Sequence, residues 1–497
     1  METDAGATLP LGAACTRSTE CVSGACLPPA LGGVCTIECT EATQCFDVGE
    51  AACSPVVEGD SVRALCALLP PGGRRMGASC TEDSQCEARV CQEGQCTEVC
   101  DDDSDCLTGQ VCPTLPRAGT SGGTYRGCGF TARTSANEVQ VVDLGELDLP
   151  AGRVGTVELA VPSDAVSITF QARRVSGDPL ELSFVSITDP TDTTVLDIGR
   201  ILELEDQPLR WIPIDSGEIV TALLPNSTAD RLVLRPGLHR WAVATLPRAS
   251  GDTGTARVRL TALVKRAAAR PVTAGTLDLD VHLAGVGLTV ESAATDTRLQ
   301  GALTRLGNIL SSVGLRIGDV DYHVVSDSRY AIIDSTSGED SELAGLFRQS
   351  AGRSGRRLSL FLVRSISGSS DGFRALGIAG GIPGPVGEHG TMHSGVVVAF
   401  DPSIVGTGTT GANRVGHVMA HEIGHYLGLY HVTEQRRPCT PGETDGCAPF
   451  GGGDVLIDTT HGDTTNLMHW SIVSGGSNDR LSAGQGFVLR VSALVGP

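Results

Sequence analysis

The chain has 497 residues, more than one ordinary hydrophobic core accommodates, so roughly three domains are expected. Its formal net charge is -21, and residues 1–130 carry 18 acidic against 7 basic side chains. Such a surface excludes nucleic acid and anionic lipid as partners, and no apolar run of about 18 residues is present to span a membrane.

Sixteen of the 18 cysteines lie before residue 130, a density that marks a secreted, disulfide-stapled scaffold. The opening METDAGATLPLGAACT has neither a basic n-region nor an apolar h-region, so a removed export signal and an added initial Met are expected. Lysine occurs once, at Lys265, a usage that suggests GC-rich bacterial coding. The stretch LGAACTRSTECVSGAC at 11–26 recurs as MGASCTEDSQCEARVC at 76–91. Cys15, Cys21, Cys26, Cys35, Cys39, Cys45, Cys53 and Cys66 align in order with Cys80, Cys86, Cys91, Cys96, Cys100, Cys106, Cys112 and Cys128. Two cysteine-rich modules, 1–70 and 71–130, follow, each too small to fold on apolar burial alone and expected to hold four bridges. Connectivity stays open, because eight cysteines permit on the order of a hundred pairings. The competing reading, a thiolate metal cluster, is disfavoured by the lack of C-x2-C pairs. The modules show no catalytic group and read as spacers or as recognition elements for an extracellular partner.

Residues 135–266 change to a period of two. VGTVELAV (154–161), AVSITFQARR (165–174), LELSFVSI (180–187), RLVLRPGLHRWAVATL (231–246) and ARVRLTALV (256–264) read as strands bounded by Gly, Pro, Asp and Ser, which favours a β-sandwich accessory domain.

From 276 to 497 strands alternate with helices, giving an α/β domain. TLDLDVHL (276–283), GLRIGDVDYHVV (314–325), RRLSLFLV (356–363) and GVVVAF (395–400) are strands. Leu299, Leu303, Leu306, Leu310 and Val313 recur at three and four residues, so 295–313 is an amphipathic helix. A further helix carries HEIGHYLGLYH (421–431), and a last one follows Ser482 as N-cap.

On a helix, His421 and His425 stand one turn apart on one face and can converge on one ion. Glu422 projects beside that face, where a carboxylate acts as a base toward water. Gly428 tolerates positive φ, so the helix can stop there and His431 can return as a third ligand. Three protein ligands leave a fourth zinc position open, the signature of a catalytic site. His417 extends the helical row, but an ion already held by three histidines has little need of it, and a solvated or supporting role is expected.

The pattern HExxHxxGxxH resembles the metzincin zinc peptidases. GLYH, GDVLIDTT (453–460), NLM and LSAGQ (481–485) resemble their pappalysin, or cytophagalysin, branch. The resemblance implies a methionine turn under the zinc, placed at Met468, and a calcium ion in the loop after His431, for which Asp454, Asp458 and Thr460 are the candidates. Many relatives carry a tyrosine two residues after that methionine. Here the position is Trp470, whose indole N–H can donate to an oxyanion but cannot ligate, and packing beneath the site is its expected role. Cys439 and Cys447 are expected to bridge locally and pin the same loop.

The expectation is therefore a multidomain chain of disulfide-rich repeats, then a β-sandwich, then an α/β metzincin-type catalytic domain. The function expected is that of a secreted zinc endopeptidase, with Glu422 moving the proton and the peptide substrate lying extended along LGIAGGIPG (376–384) or GVVVAF. Two rivals differ in class: an extracellular binding or adhesion protein with an inactive metallo-domain, and a zinc hydrolase of a non-peptide bond. The intact Glu422 argues against the first.

Overall fold

The computed structural model describes residues 8–118, 120–199, 209, 217–227, 232–248, 253–367, 375–432, 454–471 and 478–497. Cys439 and Cys447 lie outside them. The amino-terminal region is held by eight disulfides, Cys15–Cys26, Cys21–Cys35, Cys39–Cys53 and Cys45–Cys66, then Cys80–Cys91, Cys86–Cys96, Cys100–Cys112 and Cys106–Cys128. The pairing order, first to third, second to fourth, fifth to seventh and sixth to eighth, is the same in both units. Paired sulfurs fill the centres of these units, which is how so short a chain forms an interior.

The strand-rich body begins with eight strands: β1 Asn137–Pro150, β2 Val154–Val161, β3 Ala165–Gly177, β4 Glu181–Thr188, β5 Thr194–Asp197, β6 Ile219–Leu224, β7 Gly237–Leu246 and β8 Thr255–Ala267. They form two antiparallel sheets, ordered β5-β4-β7-β2 and β6-β3-β8-β1. Between the sheets, Phe170 stacks on Trp241 at 4.2 Å and meets Phe184 edge-on at 5.4 Å, an arrangement aromatic quadrupoles favour.

Residues with inward side chains alternate with outward ones, as a strand requires. In β6, Val220, Ala222 and Leu224 enter the sandwich core, whereas Leu223 enters the core of the next layer. In β3 the outward positions are Ser167, Thr169 and Gln171, polar residues that are nevertheless buried. Polar residues on the outer face of a sandwich ordinarily meet solvent; these face protein.

Ser167 donates to the Val491 carbonyl and Gln171 bonds both main-chain groups of Val386. The layer that Val386 and Val491 belong to is built on a five-stranded sheet ordered β10-β9-β11-β13-β12, from β9 Gly275–Ala284, β10 Leu315–Val325, β11 Leu358–Val363, β12 Gly377–Ala379 and β13 Val396–Ala399. All neighbours are parallel except β12, the antiparallel edge strand. Of the two candidates for pairing with an extended peptide, β12 lies at the edge, while β13 is paired on both sides. Helix α1 (Thr297–Ser311) and helix α2 (Gly408–Tyr426) share the core with this sheet. They approach closely because small residues face each other: a β-carbon at Gly416 would stand 2.4 Å from the Ala302 carbonyl oxygen. Helix α3 (Ala483–Val491) begins at Ser482 with a reciprocal capping box to Gln485.

Candidate metal centre

Helix α2 stops where its sequence can turn. Gly428 has φ +114, its N–H donates to the His425 carbonyl, and the Leu429 N–H donates to that of Gly424, both at 2.9 Å. This pair of bonds is the Schellman arrangement, which closes the helix and reverses the chain. The reversal brings His431 back to the helix.

The Nε2 atoms of His421, His425 and His431 form a triangle with sides of 3.0–3.1 Å. For His421 and His425 the protonation follows from the opposite nitrogens. Nδ1 of His421 lies 2.8 Å from the Leu467 carbonyl and Nδ1 of His425 lies 2.7 Å from the Leu429 carbonyl; each nitrogen must donate, leaving Nε2 as a lone pair. Burial holds His421 neutral, with its pKa lowered to about 3, and lowers His425 well below the usual range; the neighbouring histidines add to both effects. Lone pairs about 3 Å apart repel unless a cation sits among them. Zinc–nitrogen bonds of about 2.0–2.1 Å at tetrahedral angles place ligand nitrogens about 3.3 Å apart. The donor set fits that ion.

Glu422 is 8 % exposed. Burial pushes its carboxyl up to about 8, opposed by a hydrogen bond from the Ala379 backbone of β12. Gly377, in the same strand, lies directly against Glu422 and Val418.

Met468 is fully buried, and its Sδ would stand 2.8 Å from a β-carbon at Gly424, so it packs beneath the helix between the two histidines. The turn is fixed by the Met468 N–H donating to Asn466 Oδ1 at 2.9 Å and by the Val432 N–H donating to the Met468 carbonyl at 3.0 Å. Trp470 is 38 % exposed, its ring 5.9 Å from that of His469; the packing position under the site belongs to Met468. Asp458 anchors the start of α3, accepting from Ser482 Oγ at 2.9 Å and the Gly484 N–H at 2.7 Å. Asp454 accepts from the Leu456 N–H at 3.2 Å and from Thr459 Oγ1 at 2.5 Å, and Thr460 is exposed just beyond that turn. These carboxylates are engaged by protein donors, and calcium gains no support from them. His417 is 1 % exposed, not solvated, and neither ring nitrogen has a hydrogen-bond partner among the described residues.

Four contributors escaped sequence reading: the Leu467 and Leu429 carbonyls, the Ala379 N–H and Gly377. Three are main-chain groups that any residue carries, and Gly377 sits among several nearby glycines with no distinguishing spacing.

No family model and no curated protein matches this chain. Among solved structures, it is similar to metalloproteinase-II from Bacteroides fragilis, at 15 % identity and TM-score 0.27, over 46 % of this chain and 62 % of that one. It is also similar to a promirolysin variant from Tannerella forsythia, at 12 % identity and TM-score 0.26, over 45 % of this chain and 83 % of that one. Mirolysin in complex with a compound gives 14 % identity and TM-score 0.26, over 44 % and 91 % of the two chains. Likeness at this level assigns no activity; the side-chain geometry has to carry it.

Proposed function

We propose that this chain is a secreted zinc endopeptidase of the metzincin type, with His421, His425 and His431 as metal ligands and Glu422 as the general base. The observation that carries the reading is the convergence of three imidazole Nε2 atoms within 3.0–3.1 Å beside a buried carboxylate. Zinc held there supplies Lewis acidity to a scissile carbonyl and makes water more acidic.

The chain's own groups do the rest. Glu422 accepts the proton of the attacking water and returns it to the leaving amine. Its raised pKa, set by burial, suits a group that must hold a proton between those steps, and a nearby dication favours the carboxylate form that starts the cycle. The Leu467 and Leu429 carbonyls orient two imidazoles, as outer partners of metal ligands do. The edge of β12 that no described strand pairs offers main-chain groups to an extended peptide.

In this reading 276–497 is the peptidase domain, 135–266 a β-sandwich beside it, and 1–70 and 71–130 two disulfide modules that meet an extracellular partner. The bridges fit an oxidising compartment, and no helix among the described residues is long and apolar enough to cross a membrane.

The test is cleavage of a peptide library by purified protein, with and without chelator, beside Glu422→Ala. Cleavage should be chelator-sensitive and should be lost in Glu422→Ala while one zinc per chain is retained. Equal cleavage by the variant removes Glu422 as base, and hydrolysis of esters but not peptides moves the assignment to a non-peptide bond.

A further inference from the structure

The Gly428 turn, which brings His431 to the other two histidines, is walled by three separate parts of the chain. A β-carbon at Gly428 would stand 3.0 Å from Leu223 Cδ2, 3.4 Å from Val488 Cγ1 and 4.0 Å from Pro383 Cβ. Val488 belongs to α3 and Pro383 to the segment after β12. Leu223 comes from β6 of the sandwich, yet it is 1 % exposed and lies in the same apolar core as Val418, Met419, Ile423 and Met468.

The contact is held from both sides. Gln171 of β3 accepts from the Val386 N–H and donates to the Val386 carbonyl, and Glu218 accepts from the Met392 N–H at 2.8 Å. The stretch just before Val386 is tied to the end of α2 and the turn after it by the Tyr426 hydroxyl donating to the Pro385 carbonyl and the Tyr430 hydroxyl donating to the Ile382 carbonyl, both at 2.8 Å. Lys265 Nζ donates to the carbonyls of Arg490, Ser492 and Val495 at 2.6, 3.0 and 2.7 Å, fixing the end of α3 and the chain after it to the sandwich.

A glycine turn has no side chain of its own to restrain it, so what confines it must come from neighbours. We infer that the β-sandwich is a built-in part of the metal centre and that Leu223 is a positioning residue for His431, acting through the Gly428 turn. This rests on the zinc reading above. Truncating Leu223 opens space on one side of the turn without touching a ligand, and the third imidazole then has to be ordered when the metal binds. Loss of such outer support typically lowers metal affinity about 10- to 100-fold.

The experiment measures zinc affinity by chelator competition, alongside urea stability, in full-length Leu223→Ala, Leu223→Met and Leu182→Ala. Leu182 is fully buried in the sandwich interior, away from the turn, so its truncation reports on stability alone. Leu223→Ala should weaken zinc binding by at least about tenfold. Leu223→Met, which keeps the volume, should restore affinity to near the parent value, and Leu182→Ala should lower the urea midpoint with zinc affinity unchanged. Unchanged affinity in Leu223→Ala, or an equal loss in Leu182→Ala, overturns the positioning role. A parent protein that takes up no zinc overturns the metal-centre reading itself, and this inference with it.

Discussion

Gly377 stands against Glu422: a β-carbon at position 377 would lie 2.5 Å from Cγ and 2.8 Å from Oε1 of the glutamate, and 2.7 Å from Val418 Cγ1. The edge strand therefore touches the proposed base directly, and the approach exists only because residue 377 lacks a side chain.

Gly377→Ala must move either the strand or the carboxylate. Displacements near 1 Å at a reacting group cost up to about 100-fold in rate, so kcat should fall about 10- to 100-fold. The histidine ligands do not touch position 377, and zinc stoichiometry should stay at one per chain. Parent-like kcat would show that β12 does not set the position of Glu422.

Gly424 and Met468 make a second pair of this kind. Alanine in a helix interior is intrinsically favoured over glycine by about 1 kcal/mol, but a β-carbon at 424 meets Met468 Sδ at 2.8 Å inside a filled core, and overpacking costs about 1–3 kcal/mol. Gly424→Ala should be neutral to destabilising by about 2 kcal/mol. Combined with Met468→Ala, it should recover part of the loss that Met468→Ala causes alone. A double-mutant cycle on urea stability reads the coupling, and strict additivity would contradict the contact.

Acid should weaken the fold through histidines remote from the metal. Burial lowers His239 to about 4 and His282 to about 3, whereas the unfolded chain titrates near about 6.5. Both folded values are depressed, so the unfolded state binds the extra protons. The stabilisation is therefore full above about pH 6.5 and is lost as pH falls toward the folded values, by at most about 1.4 kcal/mol per unit per histidine. His282 Nε2 has no hydrogen-bond partner among the described residues, and the ring stacks on Phe361 at 4.4 Å. His282→Phe keeps the stack and should flatten the dependence of urea stability between pH 6.5 and 4; an unchanged slope would contradict a buried neutral imidazole.

Lys265 supplies three hydrogen bonds between the sandwich and the end of α3 with the chain after it. Lys265→Met retains much of the stem but leaves two buried carbonyls and one part-buried carbonyl without their donor, each worth about 1 kcal/mol or more. Urea stability should drop by about 3 kcal/mol, and amide exchange should quicken in 483–495. A loss below about 1 kcal/mol would mean that other donors reach those carbonyls.

The convergence of His421, His425 and His431 was legible because a helix has a fixed period. Residues four apart share a face whatever surrounds them, and a glycine placed three residues after the second histidine announces the turn that returns the third. The four strands read at 276–283, 314–325, 356–363 and 395–400 and the N-cap at Ser482 were legible for the same local reason. Helix α1 was legible as well, though it closes at Ser311, two residues before its periodic pattern ends at Val313.

What the local pattern could not determine was which surface meets which. Ser167, Thr169 and Gln171 have the alternation of a solvated strand face, and Lys265 has the residue type of one. Their burial depends on a partner more than 200 residues away, as the bonds from Gln171 to Val386 and from Lys265 to Arg490 record. The chemistry of the three histidines was thus written within eleven residues. The walls that confine the Gly428 turn and the strand that meets Glu422 come from distant segments, and only tertiary packing brings them together.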